Sequence, residues 1–374
     1  MFAPHPAPPR TTLPIGNDHQ SRSAVLGASG LGWVEFDLPG VGIGTAEYPD
    51  GPTGVTVLSI PGGARTAVDK RGGAVGVSGG FPYHHALCFA GGSSFGLAAT
   101  SGVYDELLRR TGYATDFGRL PVVSGAVVYD FTPRDNAIYP DAQLGAEGLR
   151  AVRTDRVAVG RVGAAASATV GKVDNVRAEW GGQGAAFARI GAARLLVLTV
   201  VNAMGVIVDQ AGNIVRGNLD PGTARRRHPA DDYADLLAAS TAELVPAAGN
   251  TTLTAVVTNV RMTDTELGQF ATQVHSSMHR AIQPFHTIAD GDALFALTTD
   301  EVTVAAPSLR LGTVAGELAW DAVLSSVGGP AGRAALGTTG RGSRGNCLVS
   351  GSEVVTIAAH DDRDHGAPAG TGLE

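Results

Sequence analysis

The chain has 374 residues, with 28 Lys+Arg against 35 Asp+Glu, so its formal net charge is −7 and its pI about 5.8. At 44% hydrophobic and 17% charged residues it carries enough apolar surface for a core, which excludes a wholly disordered protein. The acidic balance speaks against nucleic acid or an anionic membrane as the main partner, and 52 glycines without a G-X-Y period exclude collagen and point to tight turns and close backbone contacts.

In chain order, residues 1–25 are Pro-rich without the apolar stretch of a signal peptide and read as a flexible arm. Gly54–Ile60 (GVTVLSI) alternates and is β-branched, the pattern of a strand. Gly91–Leu108 reads as a glycine-rich loop feeding a helix, and Ser124–Phe131 as a strand. Arg194–Asn202 and Gly205–Asp209 read as two buried strands joined into a hairpin at Ala203-Met204. Thr252–Val260 is a further strand. Thr263-x-x-Glu266 then forms a capping box ahead of Leu267, Phe270, Ala271, Val274, Met278 and Ile282, which share one helical face. Asp292–Thr299 is the next strand, and Cys347–Ala359 a short one in a Gly/Ala-rich tail. Strands and helices without strict βαβ alternation predict an α+β layered domain over 26–326, followed by a largely disordered extension over 327–374. Cys88 and Cys347 are too few for a disulfide framework, so a reducing, cytoplasmic setting is expected. The longest apolar run, Leu195–Val201, is far short of a membrane span.

Four constellations carry possible chemistry. The segment CFAGGSSFGLAAT (88–100) has a loop-to-helix form suited to phosphate but neither a P-loop lysine nor GxGxxG spacing. Ser93 and Ser94 do not sit in a G-x-S-x-G elbow, and the segment reads as close packing beneath a pocket. His275 and His279 share a helix face, but Ser276 stands where a metalloprotease has its glutamate, so they read as structural, as does the pair His84-His85. Asp290 and Asp292 are two residues apart and point the same way in an extended segment; alone, Asp-Gly-Asp is turn chemistry.

The fourth is Gly249-Asn250-Thr251-Thr252, a loop entering a strand. Cleavage of the Asn250–Thr251 bond would give Thr251 both a hydroxyl and an α-amino group. A threonine hydroxyl needs a base, and an α-amino group with a pKa of about 7.7–8.0 is one suited to neutral pH. A single residue then supplies nucleophile and base.

At GNTTLTAVVTNV, QVHSSMHRAIQPFHT and DGDALFALTTDE the chain resembles the nylon-oligomer hydrolases (endo-type 6-aminohexanoate-oligomer hydrolases), within the L-aminopeptidase/D-amidase-esterase group of self-cleaving, N-terminal-nucleophile-like hydrolases. Residues 51–80 and the motifs AGGSSFGL, SGAVVYDF, ATVGKVD, GGQGAAF, VNAMGVIVD and RGN carry the same resemblance, which spans about residues 30–325. It implies a four-layered αββα fold and self-cleavage between Asn250 and Thr251 into 1–250 and 251–374. It implies Thr251 as nucleophile, Lys172 as tuner of protonation and Asn202 as oxyanion donor. Asp290 and Asp292 would orient the amine and hydroxyl, Tyr129 would contact substrate, and Gly92 and Ser93 would wall the site. It implies no metal or organic cofactor and a homotetramer of cleaved chains. The expected substrate is a linear 6-aminohexanoate oligomer or related ω-amino-acid amide. The alternative is aminopeptidase action on small peptides with N-terminal L-, D- or β-residues. A non-enzymatic nucleotide-binding module is the reading from another class.

Overall fold

The computed structural model describes residues 15–17, 23–28, 30–239 and 249–329. Cys347, the strand expected at Cys347–Ala359, and most of the two end segments lie outside the described residues. Within the expected N-terminal arm, Asn17 hydrogen-bonds the backbone of Tyr139 through both halves of its amide (2.8 and 3.0 Å), and Val25–Leu26 pairs with the strand at Gly42–Tyr48.

Eight strands build the frame: β1 (Gly42–Tyr48), β2 (Thr53–Lys70), β3 (Tyr83–Ala90), β4 (Val123–Val127), β5 (Gly182–Ile190), β6 (Ala193–Asn202), β7 (Thr251–Val260) and β8 (Ala293–Val302). Hydrogen bonding runs in the order β5-β6-β7-β8-β2-β3-β4, with β1 also on β2. The hinge of this arrangement is β2. Its first half, Thr53–Ser59, pairs with β1 and β3, and its second half, Arg65–Lys70, pairs with β8. Between the halves the register slips around Pro61-Gly62-Gly63, where proline lacks a ladder donor and Gly63 adopts φ 74°. The sequence reading stopped this strand at Ile60; the Pro-Gly-Gly is instead the point where one strand passes from one sheet to the other.

Side-chain alternation then makes the layers. Leu58, Leu87 and Phe89 from the first half-sheet share one apolar cluster with Leu196, Leu198, Leu253, Ala255, Val257, Phe295 and Leu297 from the second, so the sheets pack face to face. The opposite face of β2, β3 and β4 (Val55, Val57, Ala86, Cys88, Val127) packs on α1 (Ala98–Arg110) and α2 (Ala142–Arg150) through Ala99, Val103, Leu144 and Leu149. The opposite face of β6, β7 and β8 (Leu195, Val197, Val256, Leu294, Ala296) packs on α4 (Asp264–Ser277) and α5 (Pro307–Ser325); α3 (Pro229–Ala238) precedes both in sequence. The result is the expected α+β, four-layered αββα sandwich. Part of the glycine excess is explained by α1 and α2. A Cβ on Gly102 would sit 1.7 Å from the Ala142 carbonyl, and one on Gly145 1.9 Å from that of Ala99, so only glycine permits this helix contact.

Two local expectations are corrected. The strand expected over Ser124–Phe131 ends at Val127, and the chain leaves the sheet as it reaches Tyr129. Val206–Val208 does not form a hairpin with β6. It pairs with Ile214–Arg216 and Ile282–Gln283 in a separate small sheet, while β6 forms its hairpin with β5. The capping box is present as read, with Thr263 accepting from the Glu266 N–H and the Glu266 carboxylate accepting from the Thr263 N–H. Among the described residues no helix is long and apolar enough to cross a membrane.

Phe270 of α4 is fully buried against β6–β8. Phe270→Ala in the uncut background Thr251→Ala is expected to lose about 3–5 kcal/mol of stability, measured by urea denaturation. A loss below about 1 kcal/mol would mean this helix layer is not packed as described.

Candidate active site

Strand β7 begins at Thr251, flanked by β6 in antiparallel and β8 in parallel register, with Asn202 opposite Thr251. On β7 the odd positions Leu253, Ala255 and Val257 face the inter-sheet core, and on β6 the even positions 196, 198 and 200 do so. The same alternation sends Thr251 and Asn202 inward at the mouth of the sandwich. Thr251 floors a pocket of about 200 Å³ walled by Ser93, Ser94, Tyr129, Gly249 and Asn250. With the Asn250–Thr251 bond intact, the Thr251 hydroxyl donates to the Asn250 carbonyl oxygen, and the Gly291 N–H donates to the same oxygen at 2.8 Å.

Asn202 is the hub. Its side-chain oxygen accepts from the Thr169 N–H and from Lys172 Nζ, each at 3.0 Å. Its amide nitrogen donates to the carbonyls of Tyr129 and Gly249, each at 3.0 Å. Both ends of the carboxamide are therefore committed while the chain is continuous. Lys172 also reaches the Asn202 carbonyl at 3.0 Å, and its own backbone N–H donates to Met204. The ammonium is buried, and desolvation lowers its pKa to about 7 against the opposing pull of Asp290 and Asp130. Burial thus dominates at this lysine.

Neither Asp290 nor Asp292 is among the residues lining the pocket. Asp290 accepts from the Met204 N–H (3.2 Å) and from both the N–H and hydroxyl of Thr287. Asp292 accepts from the Thr252 N–H (2.6 Å) and from the His286 N–H (3.1 Å), with His286 Nδ1 at 2.9 Å. Burial raises Asp292 to about 6 despite the Thr252 N–H, and raises Asp290 with the neighbouring Asp292 charge adding to it. Asp292 thus holds the backbone just after Thr251 while Asp290 holds Met204 and Thr287, and neither accepts a hydrogen bond from the Thr251 hydroxyl.

The other candidates separate. Ser93 lines the pocket and Gly92 does not; the Gly92 N–H donates to Asp130 at 2.8 Å. Asp130 also takes Thr53 (2.7 Å) and a buried ion pair with Arg134 (2.5 Å). A carboxylate on the loop's amide opposes phosphate there, which removes the physical basis of the nucleotide-binding reading. His275 is buried with Nδ1 3.0 Å from Asp69, and His279 caps Ser276, so both stand apart from Thr251. His84 lies between Thr66 and Ser124. Among the described residues no group of three or more His, Cys, Asp or Glu is arranged to hold a metal.

Three participants escaped the sequence reading: His286, stacked against Phe285 with its ring 4.3 Å from that of His275; Asp130; and Gly291. The first two are common polar residues whose charged partners, Asp292 and Arg134, lie only six and four residues away, in loops where no local pattern marks the contact. The third has no side chain to notice.

The layers and this pocket define the class. The fold is similar to that of an L-aminopeptidase D-Ala-esterase/amidase from Ochrobactrum anthropi, described as a variant of the Ntn hydrolase fold, with a TM-score of 0.59 and 16% identity over 80% of this chain and 88% of that one. Residues 36–328 match Peptidase family S58, and the chain belongs to that family of amide-bond hydrolases. It is 50% identical to a 6-aminohexanoate-oligomer endohydrolase of Paenarthrobacter ureafaciens over 343 residues, 87% of this chain and 95% of that protein. It is 52% identical to a 6-aminohexanoate-oligomer endohydrolase of Kocuria sp. (strain KY2) over 310 residues, 80% and 87% of the two chains.

Lys172 sets a pH test. Its ordinary pKa of 10.5 falls to about 7 on folding. Between those values the unfolded chain holds the extra proton, so stability rises as pH increases from about 7 to about 10. In the uncut background, Lys172→Met is expected to flatten that rise in urea titrations. Parallel curves for the two proteins would contradict a depressed lysine.

Proposed function

We propose that this chain is an autoprocessed N-terminal-threonine hydrolase of linear 6-aminohexanoate oligomers or related ω-amino-acid amides. The observation that carries the reading is the position of Thr251, at the first residue of a buried strand, on the pocket floor, with its hydroxyl against the carbonyl of the residue before it. The names of the two relatives at 50–52% identity supply the substrate class.

In the first phase the Thr251 hydroxyl adds to the Asn250 carbonyl carbon, the C–N bond breaks, and the acyl group passes to oxygen. Water hydrolyses that ester and leaves a free amine on Thr251. Fragments of 250 and 124 residues result, since 374 − 250 = 124. In the second phase the amine takes the hydroxyl proton as oxygen attacks a substrate amide. Lys172, where charged, disfavours protonation of the nearby amine and keeps it a base. Release of the Gly249 carbonyl would free the Asn202 amide to donate to the substrate oxyanion, a contribution of about 3–4 kcal/mol for one such donor. Tyr129 and Ser93 flank the acyl group in the pocket. Asp290 and Asp292 hold Met204, Thr287 and Thr252 in place around it. No step calls on a metal or an organic cofactor. The homotetramer and the cytoplasmic setting belong to the same reading; the first rests on the resemblance and the second on the scarcity of cysteine.

Thr251→Ala is expected to give one uncut chain of about 38.0 kDa without amidase activity, and Thr251→Ser to restore both cleavage and some turnover. Two pieces from Thr251→Ala on a denaturing gel would overturn the nucleophile. Purified wild type is expected to shorten 6-aminohexanoate oligomers internally. Release of single N-terminal residues from amino-acid p-nitroanilides, with oligomers untouched, would favour the aminopeptidase instead.

A further inference from the structure

Self-cleavage needs a donor for the negative charge that develops on the Asn250 carbonyl oxygen, and the side chain expected to serve as oxyanion donor is occupied. The Asn202 amide nitrogen donates at 3.0 Å to Gly249 and at 3.0 Å to Tyr129, one residue away from the scissile carbonyl and on another loop. The atom that does meet the Asn250 oxygen, besides the Thr251 hydroxyl, is the backbone nitrogen of Gly291 at 2.8 Å. We propose that the Gly291 N–H is the oxyanion donor of the self-cleavage reaction, and that Asn202 acts in that phase only by positioning the segment upstream of the cut.

Several observations converge on this assignment. Asn250 and Asp290 form an isolated parallel bridge, which aligns the Gly291 N–H with the Asn250 oxygen. The donor is fixed from both sides, because the Asp290 carbonyl accepts from the Ala74 N–H at 3.0 Å and the Asp292 carbonyl from the Arg71 N–H at 2.8 Å. The Asp290 carboxylate is anchored on Met204 and Thr287, and that of Asp292 on Thr252 and His286. The two aspartates thus act as clamps on the peptide between them. Glycine is required at that position, since a Cβ would lie 2.7 Å from Thr251 Oγ1 and 2.4 Å from the Ala74 oxygen. Any side chain there would push into the nucleophile. A preorganised backbone donor in a buried site needs no reorganisation as charge builds.

The step balances as follows. Thr251 Oγ bonds to the Asn250 carbonyl carbon while the π pair moves onto the carbonyl oxygen, held by the Gly291 N–H. The carbonyl re-forms as the C–N bond breaks, and the hydroxyl proton ends on the departing Thr251 nitrogen. Water then divides the ester into the Asn250 carboxylic acid and the free hydroxyl.

The assignment rests on the reading that Asn250–Thr251 is the bond cut, and the test separates the two. Residue 291 is replaced by glycolic acid through nonsense suppression, which exchanges the N–H for an ester oxygen and adds no atom near Thr251. Residue 74 is replaced in parallel by lactic acid, which removes the N–H bonded to the Asp290 carbonyl but none bonded to Asn250. Melting curves of both esters in the Thr251→Ala background establish that they fold. Intact-mass time courses are expected to show cleavage slowed about 10²–10³-fold for the 291 ester, in the range of one lost oxyanion donor, and by less than 10-fold for the 74 ester. Wild-type speed in the 291 ester, or equal slowing in both, would overturn the donor. A wild-type chain that is never cut would instead overturn the underlying reading of the function, and the donor with it.

Discussion

The antiparallel register between β6 and β7 is the constraint on which the site depends. It sets Asn202 opposite Thr251 at the open end of two packed sheets, and β-sheet alternation turns both side chains inward. A slip of one residue would send both to the helix side and bury the hydroxyl among apolar residues. Nothing about Thr251 itself is unusual. The chemistry proposed for it comes from where the strand begins, because its hydroxyl there meets the carbonyl of the residue before it. The flanking strands hold this register with long, apolar runs that are fully buried on both faces.

Around that fixed pair the fold buries charge sparingly and ties each buried charge to backbone. The Lys172 ammonium rests on both oxygens of Asn202, Asp290 on Met204 and Thr287, and Asp292 on Thr252 and His286. Burial moves the lysine toward neutral pH from above and Asp292 toward it from below. Behind them, His286 and His275 form a packed polar layer that ends on Asp69. The glycine content has a matching purpose at the site. Gly291 lets a backbone strand approach the Thr251 hydroxyl more closely than any side chain would allow.

Much of the secondary structure was legible in the sequence. The capping box at Thr263, the strand through Thr252–Val260 and the loop-to-helix entry at Gly91 follow from local pattern, because caps and alternation are short-range signals. The failures share a cause. The mispaired hairpin at 194–209 arose because alternation marks Val206–Val208 as extended but says nothing of its partner, Ile282–Gln283, more than seventy residues away. Pro61-Gly62-Gly63 signalled an end where the strand only changed sheets. At the site, the residues named through the family resemblance do gather around Thr251, with Gly92 one step behind the wall. The committed Asn202 amide, the Asp130–Arg134 pair and the Gly291 donor were not legible. The Asn202 and Gly291 contacts join segments far apart in sequence, and the second belongs to the backbone; Asp130 and Arg134 are only four residues apart, but their pairing depends on a loop conformation that no local pattern announces.

Self-cleavage of the folded chain is the proposal from which the roles around Thr251 follow. The most direct measurement is the kinetics of cleavage in chain made by a reconstituted translation system and diluted over a hundred-fold range of concentration. First-order appearance of a fragment beginning at Thr251 is expected, with one rate constant at every dilution and no response to added protease inhibitors. A rate that scales with protein concentration, or a terminus elsewhere than Thr251, would contradict it.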